Sequence, residues 1–155
     1  LVSSPKKNHL KKVIKENLRI ELNKFVNIIS QDFKFFKSIS IGTGNLILTG
    51  AQFQSNVKIG SHIYVSNNSV ICSDSVIDDY VNISNSVSIM GNVHIKQGTY
   101  LGANSSIIGY TSIGKWSIIG MGAVVLKTVK DYEIVAGNPA RVIGKNTAAE
   151  DYFKK

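Results

Sequence analysis

An aliphatic residue falls on every sixth position from Ile41 to Val125, with Phe53 the one aromatic exception. The series is Ile41, Ile47, Phe53, Ile59, Val65, Ile71, Ile77, Ile83, Ile89, Ile95, Leu101, Ile107, Ile113, Ile119 and Val125, fifteen positions without a slip. Two residues before each stands a second set, mostly small or β-branched, such as Val57, Ser69, Val87 and Ala123. A period of six fits neither a helix nor a hairpin meander, whose turns would break the count. It fits a solenoid of short strands joined by tight corners, each hexapeptide supplying one wall.

Three walls per turn make five coils of eighteen residues. Coils stacked at a strand spacing of about 4.8 Å give a prism on the order of 24 Å long. The first wall points Ile41, Ile59, Ile77, Ile95 and Ile113 inward. The second carries Ile47, Val65, Ile83, Leu101 and Ile119, and the third Phe53, Ile71, Ile89, Ile107 and Val125. On the outside of the third wall fall Val70, Cys72, Met90, Ile108, Val124 and Leu126. Apolar residues gathered on a wetted face mark an association surface, and a three-sided prism packs naturally as a cyclic trimer.

The period divides the chain. Residues 1–38 precede it, with Leu10, Val13, Ile14 and Leu18 at helical spacing and a predicted strand over 24–29. They read as a helix/strand cap, which a solenoid needs where its last coil would expose apolar interior. Residues 39–128 are the β-helix. Residues 129–155 hold two short strands around a Gly137-Asn138-Pro139 turn and a tail predicted to form a helical turn.

Composition narrows the chemistry. Among 155 residues, 18 Lys and Arg against 10 Asp and Glu give a net charge of +8. The charges are scattered and no aromatic–basic interleaving suggests base stacking, so nucleic acid is not the expected partner; a phosphorylated small ligand also seeks positive charge. The one cysteine, Cys72, rules out an internal disulfide and sits on an outward position. No apolar run is long enough for a transmembrane helix, so insertion in a membrane is not expected. Converging histidine ligands for a metal, a phosphate-binding Gly-rich loop and a nucleophile elbow are missing from the sequence.

The repeat units Ile59-Gly60, Leu101-Gly102, Ile113-Gly114 and Ile119-Gly120 resemble the left-handed β-helix of the hexapeptide acyltransferases. The closing segment Val135-Ala136-Gly137-Asn138-Pro139-Ala140-Arg141-Val142-Ile143 is similar to the family's C-terminal signature. Coils without inserted loops, and Gly91-Asn92-Val93 before the coil that holds Gly102, resemble the NeuD/PglD branch of sugar acetyltransferases. The resemblance implies an all-β left-handed parallel β-helix and acetyl-CoA as co-substrate, with no metal. It also implies a homotrimer, active sites between subunits, and a cytoplasmic amino-sugar acetyltransferase of surface-polysaccharide biosynthesis. The acceptor it implies is a nucleotide-linked sugar. Residues 1–38 would then be the remnant of a Rossmann-like sugar-nucleotide domain.

The same resemblance carries acetyl-CoA contacts onto Gly91, Gly102, Ala103, Met121 and Gly122. Gly91 stacks under Gly109, and Gly102 under Gly120, eighteen residues apart. Such lines of glycine let a pantetheine arm approach the backbone, or serve corners that need positive φ. Lys127, Lys130, Arg141 and Lys145, near the end of the prism, are candidates to attract the CoA phosphates.

One departure matters. The family's catalytic His position falls on Ser73, followed by Asp74, and a second family His falls on Asn82. His9, His62 and His94 are elsewhere. A hydroxyl acceptor needs a base to take its proton, which Ser73 cannot be unaided. An amine acceptor attacks in its neutral form and sheds the proton afterwards. The substitution therefore points to an amine with little base assistance, or else to a non-catalytic, degenerate trimeric module.

Overall fold

The computed structural model describes residues 24–34 and 38–153, with side chains to residue 151. The predicted helix over 10–18 lies outside the described residues. The predicted strand over 24–29 shortens to β1, Ile28–Ile29.

Fifteen two-residue strands follow, from β2 (Ser40–Ile41) to β16 (Val124–Val125), one per hexapeptide. All pair in parallel at an offset of eighteen residues, as in Ser88↔Ser106 and Ile89↔Ile107. They form the three expected walls of a left-handed parallel β-helix. The second wall is longer than the periodicity indicates. β1 adds to its start through Ile28↔Leu46 and Ile29↔Ile47. At its far end, β17 (Glu133–Ala136) pairs with Ile118–Ile119 and turns back antiparallel into β18 (Arg141–Lys145). Helix α1, Thr147–Phe153, closes the chain.

The inward series is the core. Ile47, Ile71, Ile83, Ile89, Ile95, Leu101, Ile107, Ile113 and Ile119 are all fully buried. Each contributes about 1.5–3 kcal/mol by leaving water. The second set lies inward too, and some of its hydroxyls pair with the backbone of the next coil, whereas the buried Ser105 Oγ has no hydrogen-bond partner among the described residues. Ser75 Oγ donates to the Met90 carbonyl at 3.0 Å and accepts the Val93 N–H at 3.2 Å. Ser69 does the same for Ser84 and Val87. These two serines thus sit in the core with their hydrogen bonds met.

Positive φ recurs at every sixth residue from Gly44 to Gly122, fourteen corners in succession. Only Gly44, Gly50, Gly98 and Gly122 of these are glycines; the rest include Asn56, Asp74, Asn92, Tyr110 and Trp116. Gly91, Gly102, Gly109 and Gly120 are not among the positive-φ residues, which corrects the reading of them as turn glycines. They are small because coils press together there. A Cβ on Gly102 would lie 2.6 Å from the Met121 nitrogen, and one on Gly109 would lie 2.9 Å from the Gly91 oxygen.

Candidate active site

The corner between the third and first walls gathers part of the predicted site. One column runs Ser55, Ser73, Gly91, Gly109 and Lys127, each eighteen residues above the last. The coils interlock beside it: the Asn92 N–H donates to the Ser73 carbonyl at 3.0 Å and the Tyr110 N–H to the Gly91 carbonyl at 3.1 Å. The column spans three coil spacings from Ser73 to Lys127, about 14 Å.

Ser73 is engaged. Its N–H and its hydroxyl both donate to Gln54 Oε1 at 3.2 Å, and Ser55 Oγ lies 3.1 Å from its Oγ. Asp74, at φ 61°, accepts a hydrogen bond from Asn56 Nδ2 at 2.9 Å. By contrast, the Gly91 N–H has no acceptor among the described residues. That amide lies at the corner one coil above Ser73.

Two clefts flank the column. Below Ser73, a cleft of about 620 Å³ is lined by Asp32, Lys34, Gln52, Gln54, Ser55 and Ser73. Asp32 fixes its rim: Ser30 and the Gly50 N–H (2.8 Å) hydrogen-bond to its carboxylate and hold its pKa below the ordinary value. At the far end, Lys127 and Arg141 line one cavity of about 390 Å³ with Glu133 and Pro139. Of the four cations picked out by sequence position, Lys127 and Arg141 meet in this cavity, and Lys130 and Lys145 do not line it.

The other candidates are not beside them. Gly102, Ala103, Met121 and Gly122 cluster at the corner between the second and third walls, where the Gly122 N–H donates to the Ala103 carbonyl at 2.9 Å. In one chain, the width of the third wall separates this cluster from Gly91. Asn82 faces outward on the second wall, in register between Tyr64 and Tyr100. It is 1% exposed and its Nδ2 has no hydrogen-bond partner among the described residues.

One feature was missed from sequence. His94 Nε2 lies 2.9 Å from Asp78 Oδ1 on the first wall. The partners are sixteen residues apart, diagonal neighbours on stacked coils, and appear together once the sequence is written in rows of eighteen. Both are partly exposed, and the pair sits a corner away from Ser73. Among the described residues, no group of three His, Cys, Asp or Glu is placed to hold a metal. Nor is any helix there long and apolar enough to cross a membrane.

No protein-family model matches the chain. A serine acetyltransferase of Haemophilus influenzae is 39% identical over 56 residues, 36% of this chain and 21% of that enzyme. A dTDP-3-amino-3,6-dideoxy-alpha-D-galactopyranose 3-N-acetyltransferase of Aneurinibacillus thermoaerophilus is 43% identical over 47 residues, 30% of this chain and 24% of that enzyme. The matches thus span about a fifth to a quarter of these relatives' length. Among solved structures, the acetyltransferase domain of PglB from Neisseria gonorrhoeae, in complex with acetyl coenzyme A, superposes with a TM-score of 0.81 and 26% identity. That superposition covers 89% of this chain and 67% of the PglB domain. A variant of GDP-perosamine N-acetyltransferase from Caulobacter crescentus, in complex with CoA and GDP-perosamine, shares the fold. Its TM-score is 0.84 at 22% identity, over 90% of this chain and 67% of that one. In repeat, coil geometry and fold the chain is similar to the hexapeptide-repeat acyltransferases.

Proposed function

We propose that this protein transfers an acetyl group from acetyl-CoA to the amine of a nucleotide-linked amino sugar, in surface-polysaccharide biosynthesis in the cytoplasm. The observation that carries the reading is the column Ser73–Gly91–Gly109–Lys127, with an unengaged N–H at Gly91 and a cationic cavity at its end. An extended pantetheine arm spans that distance. The thioester would then lie by Gly91 and the phosphates by Lys127 and Arg141. The sugar acetyltransferases among the relatives and fold neighbours support the acceptor class.

In this scheme the neutral amine attacks the thioester carbonyl carbon, and the carbonyl π pair moves onto oxygen. The Gly91 N–H stabilises that oxyanion. Collapse breaks the C–S bond, CoA leaves as the thiolate, and the ammonium proton passes to it or to water. No base has to act before attack, which suits Ser73 in place of an imidazole. Asp74 remains a candidate to orient the acceptor. Gly102, Ala103, Met121 and Gly122 could meet the donor only through a neighbouring copy, in keeping with the homotrimer the reading includes. Residues 1–38 would belong to a sugar-nucleotide domain, although Ile28–Ile29 already continue the solenoid.

A second reading, a non-catalytic trimeric module, is favoured by one observation: both polar groups of Ser73 are already bonded to Gln54. Release of free thiol from acetyl-CoA, with paired amino and hydroxy sugars as nucleotide derivatives, separates the two. Turnover with the amino member and little with the hydroxy member is expected. A folded protein that releases no thiol with any acceptor supports the module instead.

A further inference from the structure

Among the described residues, five ring-bearing side chains stand on left-handed backbone: His62, Tyr80, Tyr110, Trp116 and Tyr132. That conformation is costly for any residue with a Cβ. Four of the five offset the cost by packing together at the first–second corner. His62 and Tyr80 stack at 5.3 Å, and Phe25 meets His62 edge-on at 4.7 Å. Trp116 is buried with Tyr80 and with Ala149 of α1, and Tyr132 packs against them. Tyr110 is different. It stands at the third–first corner, 84% exposed, and its ring and hydroxyl meet no hydrogen-bond or aromatic partner among the described residues. Only its backbone is held, the N–H donating to the Gly91 carbonyl at 3.1 Å. Nothing within the chain compensates the strain at this one aromatic.

The surface beside it is a trough. Gly91 and Gly109 form the floor, and a Cβ on Gly109 would lie 2.9 Å from the Gly91 oxygen, so the floor stays bare. On the third-wall side stand Met90, Ile108 and Leu126, all 44–50% exposed. On the other side the corner column rises through Asn56, Asp74 and Asn92 to Tyr110. The lower members are short and polar, and Tyr110 is the large one. At the upper end lie Lys127 and Arg141 with their cavity.

We infer that the Tyr110 ring is a side wall for the pantetheine arm of the donor, closing the trough opposite Ile108 and holding the arm over Gly109. This rests on the proposed function, which puts the thioester by Gly91 and the phosphates by Lys127. In an extended arm the amide nearest sulfur falls about one coil spacing above Gly91, about 4.8 Å, which is the level of Tyr110. The methylenes flanking that amide suit an aromatic face on one side and an aliphatic side chain on the other. The exposed ring is then buried only when the donor arrives, and the contact offsets the backbone cost in the complex. Tyr110 recognises the arm and not the nucleotide.

Titration calorimetry with CoA and with adenosine 3′,5′-bisphosphate, which lacks the arm, tests the assignment. Tyr110→Gly is expected to weaken CoA roughly tenfold and to leave the bisphosphate unchanged. Tyr110→Phe keeps the ring and should stay within about threefold of wild type for both ligands. Lys127→Ala should weaken both. Because glycine relieves the left-handed strain, Tyr110→Gly should also raise Tm, by about 2–4 °C. A residue kept for packing would show the reverse. Equal loss of both ligands in Tyr110→Gly would overturn the assignment, as would a Tyr110→Phe protein as weak as Tyr110→Gly. So would a lowered Tm, or a smaller assembly in solution, which would make Tyr110 a packing or interface residue. Wild type that binds no CoA at millimolar concentration would sink the donor reading and this contact with it. Wild type and Tyr110→Gly binding CoA equally well would leave the donor reading standing and remove Tyr110 alone.

Discussion

Replacing Ser73 with histidine is expected to raise acetyl transfer to a hydroxyl acceptor by roughly 10²–10⁴-fold. Ser73 stands next to Asp74, one coil below the unengaged Gly91 N–H, and opens onto a cleft of about 620 Å³. An imidazole there has room, a neighbouring carboxylate to hold its tautomer, and a place beside the carbon that is attacked. The gain should be larger for a hydroxyl acceptor than for an amine, because only the hydroxyl must lose its proton during attack. It should grow as pH rises through about 6.5, where an ordinary imidazole becomes a base. Adding Asp74→Asn should remove part of it. Initial rates of thiol release on the three proteins test this. A Ser73→His protein that folds and is no faster with either acceptor would mean that the reacting carbon is not at this corner.

The second large effect concerns the fold. Gly98→Ala should destabilise the protein by roughly 3 kcal/mol, the sum of a left-handed backbone cost and of overpacking. Gly98 lies at φ +70°, and a Cβ there would run into the indole of Trp116, which is 3% exposed and has little room to shift. Gly122→Ala separates the two causes. Gly122 has φ +66°, and nothing lies within 4 Å of the Cβ position, so only the backbone cost of about 1–2 kcal/mol applies. Thermal unfolding should lower Tm by about 10 °C for Gly98→Ala and by about a third to two thirds as much for Gly122→Ala. Equal losses would show that the aromatic corner yields without cost.

These predictions draw on parts of the molecule that were unequally legible in the sequence. The coil register was plain, because the inward position tolerates little besides aliphatic side chains and repeats fifteen times. The corners were not. Left-handed backbone is usually announced by glycine, yet His62, Tyr80, Tyr110 and Trp116 adopt it here, held by the ladder above and below. Of the glycines that catch the eye, Gly102 answers to coil spacing instead, while a Cβ on Gly91 would lie 3.3 Å from the Ser73 oxygen. For the site, adding eighteen to a residue number lines up Ser73, Gly91, Gly109 and Lys127. The same arithmetic leaves Gly102 and Met121 a wall away and Asn82 on another face. In the proposed homotrimer a neighbouring copy would join those groups, which arithmetic on one chain does not reveal. The strand over 24–29 was legible, but its place at the start of the second wall was not, because a single strand outside the repeat has no period to set its register.

The account turns on the donor lying along the third–first corner. A crystal structure with bound CoA tests that directly. The thiol is expected within hydrogen-bonding reach of the Gly91 N–H, the pantetheine arm beside Gly109, and the phosphates at Lys127 and Arg141. CoA bound away from this column, or no binding at millimolar concentration, would contradict it.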